Sequence, residues 1–87
     1  MSAVVAHAEV FDQVRAAVAE ALNVPMERVT LEASFREDLD AESLDLISII
    51  SELEEVFDQD ITDEDAMSLK TVGDAVRYIQ SALAKRG

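Results

Sequence analysis

Val10, Val14, Val18 and Leu22 recur every four residues, and Phe11, Ala17 and Ala21 widen the stripe they form. That period predicts an amphipathic helix from about His7 to Leu22. Asn23 suits a helix end, and Val24-Pro25 biases the backbone away from continuing. From Val24 to Glu42 neither a helical nor an alternating period survives, although Met26 to Val29 can make one short helical turn. Val24, Val29, Leu31, Phe35 and Leu39 are too many apolar residues for a free linker. The stretch is expected to be an ordered loop pinned across the helices by these side chains. Loops of this length inside small domains are uncommon and tend to carry function.

The clearest period follows. Leu46, Ile49/Ile50, Leu53 and Val56/Phe57 predict a helix from about Ser43 to Phe57, with these residues as its buried stripe. Leu44 and Ile47 fall outside the centre of the stripe, on a face that leans to solvent with Ser51 and Glu55. Two such residues flanking a serine at a helix start point to a contact patch. Thr62-Asp63-Glu64-Asp65 carries a threonine cap with an acid three residues on, and opens a short helix through about Ser68. Thr71-Val72-Gly73-Asp74 repeats the pattern before a last helix from Val72 to about Leu83. Its apolar face is Val72, Ala75/Val76, Ile79 and Leu83, and Lys85-Arg86 complement its C-terminal dipole. Residues 1–6 are expected to fray. The elements predict an all-α fold: a four-helix bundle of three longer helices and one short one, with a long ordered loop between the first and second. A single domain over residues 1–87 is expected.

Composition narrows the function. The 87 residues are 49% apolar and 30% charged, enough apolar surface for one folded domain. No cysteine is present, so disulfides and cysteine-based metal, redox or nucleophile chemistry are excluded. The net charge of −12 argues against nucleic-acid or anionic-membrane partners, whose phosphates would be repelled. No apolar run approaches the roughly 18 residues of a membrane span, and the opening residues lack the basic region of a signal peptide. A cytoplasmic protein is expected. The charge is also concentrated: residues 32–65 hold 14 acids and a single base, Arg36. Such a run is either a solvated face or a docking surface for basic partners.

Catalytic and metal motifs are weak. His7 is the lone histidine and is expected at the surface, with no nucleophile elbow to present a serine to it. Asp58-Gln59-Asp60-Ile61-Thr62 begins like a calcium loop. Its sixth position, however, is Asp63 rather than Gly and its twelfth is Leu69 rather than Glu. Weak divalent binding among Asp58, Asp60 and Asp63 to Asp65 remains open, since close carboxylates repel until a cation screens them. The acids from Glu54 to Asp65 are read as solvated rather than as a catalytic pair.

The informative stretch is Asp38-Leu39-Asp40-Ala41-Glu42-Ser43-Leu44-Asp45-Leu46. Taken alone, a serine in the first turn of an amphipathic helix is an ordinary N-terminal residue. Its neighbours add more. Upstream stand Val24-Pro25 and Ala33-Ser34-Phe35. Downstream stand Leu53-Glu54-Glu55-Val56-Phe57, Ile61, Asp63-Glu64, Ala66, Thr71-Val72-Gly73-Asp74-Ala75-Val76 and Tyr78-Ile79. In this order and spacing the blocks resemble an acyl carrier protein over nearly the whole chain. In that family a loop ending in roughly D-L-G-A-D-S-L-D leads into a helix whose serine carries 4′-phosphopantetheine. Asp38, Leu39, Ala41, Ser43, Leu44 and Asp45 match that pattern.

The resemblance implies a protein that is not itself an enzyme. A separate phosphopantetheinyl transferase would attach the arm from coenzyme A to Ser43. The arm's thiol would then hold acyl intermediates as thioesters and deliver them to enzymes of fatty-acid, polyketide or lipopeptide biosynthesis. Partner enzymes with basic docking patches are expected to meet Glu42, Asp45, Glu52, Glu54 and Glu55, with Leu44 and Ile47 among them. A monomer is expected. Backbone N–H groups at the helix start favour a phosphate on Ser43, whereas Glu42 and Asp45 oppose it, so that phosphate is expected to stay largely solvated. Two residues depart from the family: Glu42 stands where Asp is usual, and Asp40 where Gly is common. Asp40 could cap the helix in place of Glu42 and start it earlier. Either change bears on how the modifying enzyme grips the site. The context favours a discrete carrier over a peptidyl carrier domain, and Ser48 and Ser51 hint at a dedicated pathway. The alternative from another class is an acidic helical adaptor that binds a basic protein partner without a cofactor, in which Ser43 only starts a helix.

Overall fold

The structure, a computed structural model, describes residues 7–86. The expected fraying of residues 1–6 lies outside them, as do the side chains of His7, Ala8 and Arg86. Four helices follow in order, α1 (His7–Leu22), α2 (Ser43–Phe57), α3 (Asp63–Ser68) and α4 (Val72–Arg86), and a 3₁₀ turn at Met26–Arg28 interrupts the first crossing. The architecture is the all-α bundle of three longer helices and one short that the periodicity predicts. α4 runs one turn past Leu83, because Ser81 to Lys85 contains no breaker and four good helix formers.

α1 packs against both α2 and α4. Val10, Val14 and Val18 meet Ile49, Leu53 and Phe57 of α2 and Val72, Ala75, Val76 and Ile79 of α4 in one buried core. Full burial of side chains such as Ile49, Leu53 and Ile79 contributes about 1.5–3 kcal/mol each. Val56, placed in the stripe by its spacing, is instead 47% exposed. It faces a shallow groove against α1 lined by Gln13, Ala16, Ala17 and Glu20, where α1 offers only small or polar side chains and nothing large enough to cover it.

The helix ends explain the boundaries. Asn23 takes φ 57°, and the N–H groups of Asn23 and Val24 return to the carbonyls of Glu20 and Ala19, closing α1 in a Schellman motif. Asp58, at φ 53°, closes α2 with a left-handed residue as well, and here the N–H groups of Asp58 and Gln59 both return to the Glu54 carbonyl, the latter at 3.1 Å. The Thr62 hydroxyl accepts from Asp65 N–H at 3.1 Å and starts α3. α3 buries no residue of its own; buried Ile61 and Leu69 flank it, and the Tyr78 hydroxyl on α4 donates to Asp65 at 2.9 Å.

The long crossing is ordered and pinned. Val29, Phe35 and Leu39 are buried and Val24 is half-buried, as expected, and Ala33 and Ala41 join them. Leu31 does not: its side chain is exposed, and its backbone is the anchor instead. Its carbonyl accepts from Gly73 N–H at 2.9 Å, and a Cβ on residue 73 would stand 3.0 Å from that oxygen, so glycine is what lets the loop approach α4. An antiparallel bridge between Ser34 and Thr71 adds two bonds of 3.0 Å, Phe35 N–H to Lys70 carbonyl and Val72 N–H to Ala33 carbonyl. Among the described residues no helix is long and apolar enough to cross a membrane.

Candidate functional site

The segment entering α2 is built by hydrogen bonds within a few residues. The Asp38 carboxylate accepts from Ser34 N–H at 2.7 Å, the Ser34 hydroxyl accepts from Glu37 N–H at 3.2 Å, and Arg28 donates to the Asp38 carbonyl at 2.8 Å. Ala41 N–H donates to the Phe35 carbonyl at 2.7 Å, and Phe35, Leu39 and Ala41 sink into the core on either side of this turn. The chain then reverses at Asp40, whose φ is 56°. That left-handed conformation is where glycine is most at ease, and aspartate is among the few other residues that tolerate it. Asp40 therefore does not cap α2. Glu42 holds the N-cap position, Asp45 reaches back to accept from Glu42 N–H at 3.0 Å, and the Glu42 carbonyl accepts the first helical bond, from Leu46 N–H, at 2.9 Å.

Ser43 is thus the first residue of α2, and it is exposed. The Arg36 guanidinium lies 3.5 Å from its hydroxyl oxygen. Beside both opens an apolar cleft of about 680 Å³ running between α2 and α3, floored by Leu46, Ile50, Leu53, Ile61, Ala66 and Leu69. Leu46 and Ile50, expected in the buried stripe, are half-buried because they form its wall.

The acids and apolar residues expected to form one docking patch are divided by the helix among three directions. Leu44 and Ile47 are 76% and 64% exposed, and they share the outer ridge with Ser51 and Glu55. Glu42 is exposed beside Ser43. Asp45 and Glu54 are committed inside the molecule: Asp45 closes the helix start, and Glu54 accepts from Ile61 N–H at 2.9 Å, tying α2 to the chain that leads into α3. Glu52 turns to α1. Its carboxyl hydrogen-bonds Glu20, which together with partial burial and the negative charges of Glu20 and Glu55 raises it above the usual carboxyl range. Two features escape sequence reasoning. Met67 on α3 is 81% exposed and lines the cleft, and Arg36 reaches Ser43 from seven residues upstream. The isolation of Arg36 among acids was the available signal for the second; a six-residue helix gave none for the first. Among the described residues no three His, Cys, Asp or Glu side chains stand close enough to hold a metal ion, so the weak divalent binding that the sequence leaves open among Asp58, Asp60 and Asp63 to Asp65 has no assembled site.

A family model described as the phosphopantetheine attachment site matches residues 12–79, from within α1 to within α4. The chain belongs to this family. It is a phosphopantetheine carrier with the helical-bundle fold, and the match spans every element that builds the start of α2. The residues present fit such a group. A small, exposed hydroxyl stands at a helix start whose N–H groups favour phosphate, a guanidinium lies beside it, and an apolar cleft is within reach of a chain attached there.

Proposed function

We propose that this carrier is a single-domain acyl carrier protein with Ser43 as the attachment residue. The observation that carries this is the exposed Ser43 hydroxyl at the first residue of α2, beside the mouth of the apolar cleft. A separate transferase joins Ser43 Oγ to the phosphorus of coenzyme A's pantetheine phosphate. The pyrophosphate P–O bond breaks, adenosine 3′,5′-bisphosphate leaves, and the hydroxyl proton passes to a base of the transferase. The attached group supplies a terminal thiol that carries acyl cargo as a thioester. The chain's own part is to hold Ser43 forward, to keep the helix start closed through Asp45, and to shelter apolar cargo between α2 and α3. The cargo then serves enzymes of fatty-acid, polyketide or lipopeptide synthesis.

Partner enzymes with basic patches dock along the outer ridge of α2, where Leu44 and Ile47 supply contact and Glu42 and Glu55 supply charge. Asp45, Glu52 and Glu54 contribute to the acidic field rather than to direct contact. Ile47→Ala should speed dissociation from a cognate transferase with little salt dependence, and Glu55→Lys should slow association chiefly at low salt. Glu9→Lys, on α1, is the control; an equal effect there would mean that net charge alone directs docking.

Incubation with a broad-specificity phosphopantetheinyl transferase, magnesium and coenzyme A should add one phosphopantetheinyl mass, mapped to Ser43. Ser43→Ala should fold with an unchanged melting curve and gain nothing. A wild type left unmodified by several such transferases would return the acidic adaptor as the better account.

A further inference from the structure

We propose that Arg36 is the chain's own ligand for the phosphodiester on Ser43, holding the root of the arm against the mouth of the cleft. The proposal rests on the attachment at Ser43 argued above.

Arg36 is the single base in a stretch with 14 acids, and Glu37, Asp38, Asp40 and Glu42 are its near neighbours in sequence. A guanidinium in that setting would be expected to pair with a carboxylate. Among the described residues it forms no ion pair, and its contact is a neutral hydroxyl, Ser43 Oγ, at 3.5 Å from Nη2. That distance is long for a hydrogen bond, so the contact does not by itself explain the placement. The other arginines with described side chains are engaged. Arg15 donates to the Met26 carbonyl and lies over the Phe11 ring, Arg28 donates to the Asp38 carbonyl, and Arg77 pairs with Asp74. Two of the acids in the segment from Arg36 to the start of α2 have local partners of their own, Asp38 with Ser34 N–H and Asp45 with Glu42 N–H.

The position of Arg36 is set by its neighbour. Phe35 is buried, donates its N–H to the Lys70 carbonyl and accepts from Ala41 N–H, so the backbone at residue 36 is tied to the same frame as the start of α2. Arg36 and Ser43 both border the cleft. Esterification of Ser43 replaces the hydroxyl proton with phosphorus bearing two oxygens that share a negative charge. A guanidinium beside Oγ then gains an anionic, geometrically matched acceptor in place of a weak neutral one. It also offsets the repulsion of that phosphate by Glu42 and Asp45. The phosphate is therefore held by the protein rather than left to solvent.

The test uses isotope-labelled wild type, Arg36→Gln and Arg36→Lys, each as unloaded protein and as protein loaded by a transferase and verified by mass. In wild type, the Arg36 Nε–H resonance should move on loading, and its exchange with water should slow by about two- to fivefold, the scale of one exposed charge-assisted contact. The Nε–H resonances of Arg15, Arg28 and Arg77 should stay in place. The phosphorus NMR shift of the loaded protein should differ between wild type and Arg36→Gln, with Arg36→Lys between them. All of these proteins should fold, since Arg36 is exposed. An Arg36 resonance unchanged by loading, or a phosphorus shift indifferent to Arg36→Gln, overturns the proposal while leaving Ser43 loading intact. Failure to load Ser43 overturns the attachment itself, and this proposal with it.

Discussion

Asp40 shows what single residues contribute and how far they can be read. Its departure from the glycine common in the family leaves the choice of cap open in the sequence; the structure assigns the cap to Glu42 and gives Asp40 a φ of 56°. The residue is there to turn the chain. Within Asp38 to Asp45 only Ser43 and Leu44 face outward without an internal task, while Asp38, Leu39, Ala41 and Asp45 hold the loop and the helix start. The motif was legible because it is mostly scaffold, and scaffold leaves a pattern of spacing. Asp40→Gly should unfold in urea about 1 kcal/mol later than Asp40→Ala, because alanine meets the left-handed conformation with a Cβ and glycine does not. Both variants lose the same charge, so the comparison isolates the backbone. Equal stabilities would show that residue 40 does not hold a positive φ in solution.

At the scale of elements, the start of α4 does more than begin a helix. The Thr71 hydroxyl accepts from Asp74 N–H at 3.1 Å, and the Asp74 carboxylate accepts from Lys70 and Thr71 N–H at 3.1 and 3.2 Å. The same few residues hold the long loop, through Gly73 to Leu31 and through the bridge at Ser34. Burial acts to raise the Asp74 carboxyl, but the two backbone N–H groups and Arg77 outweigh it and hold it below its ordinary value of 3.8. A carboxyl lowered in the folded state stabilises fully above its unfolded value and loses that contribution as pH falls through the lower folded one. Asp74→Asn should therefore cost about 1 kcal/mol at pH 7, the usual value of a cap, and the gap should close as pH falls below 3.8. Thermal melts at pH 7 and in acid measure this; a gap constant across that range would assign the loss to something other than the charge. Helix existence and limits followed from period and cap residues, apart from the extra turn of α4. The attachment of the loop did not, because it uses backbone carbonyls that carry no side-chain signature.

Over the whole molecule, 19 acids against 7 bases leave a net −12 on a body 38 × 27 × 19 Å, with the acids mostly in its middle segment. Salt should raise the melting temperature by screening this repulsion, and magnesium should do so more strongly at equal concentration. With no three-acid group assembled among the described residues, magnesium titrated into the protein in a calorimeter should act as a diffuse counterion, without a saturable one-to-one isotherm. Glu52 marks one place where the repulsion is local. Its carboxyl is raised from 4.5 by Glu20, so its contribution is present below that value and lost as pH rises through the higher folded one. Glu52→Gln should accordingly melt higher than wild type at pH 7, with the difference shrinking towards pH 4. A melting temperature indifferent to both salt and this substitution would mean that the acidic surface costs the fold nothing.

The sequence by itself determined which segments are helical, where α1, α2 and α3 end, and that a serine starts α2, since period and capping act over three or four residues. It also determined the family, through the spacing of short blocks. Only the tertiary structure decided which acids face outward. Glu52 and Glu54 share one helix with Glu55, yet a carboxyl on α1 and the turn before α3 claim them. Only the structure placed Arg36 against Ser43 and opened a cleft beside Leu46 and Ile50. Those outcomes depend on how one element packs against another, and a pattern confined to a single helix holds no record of its neighbours.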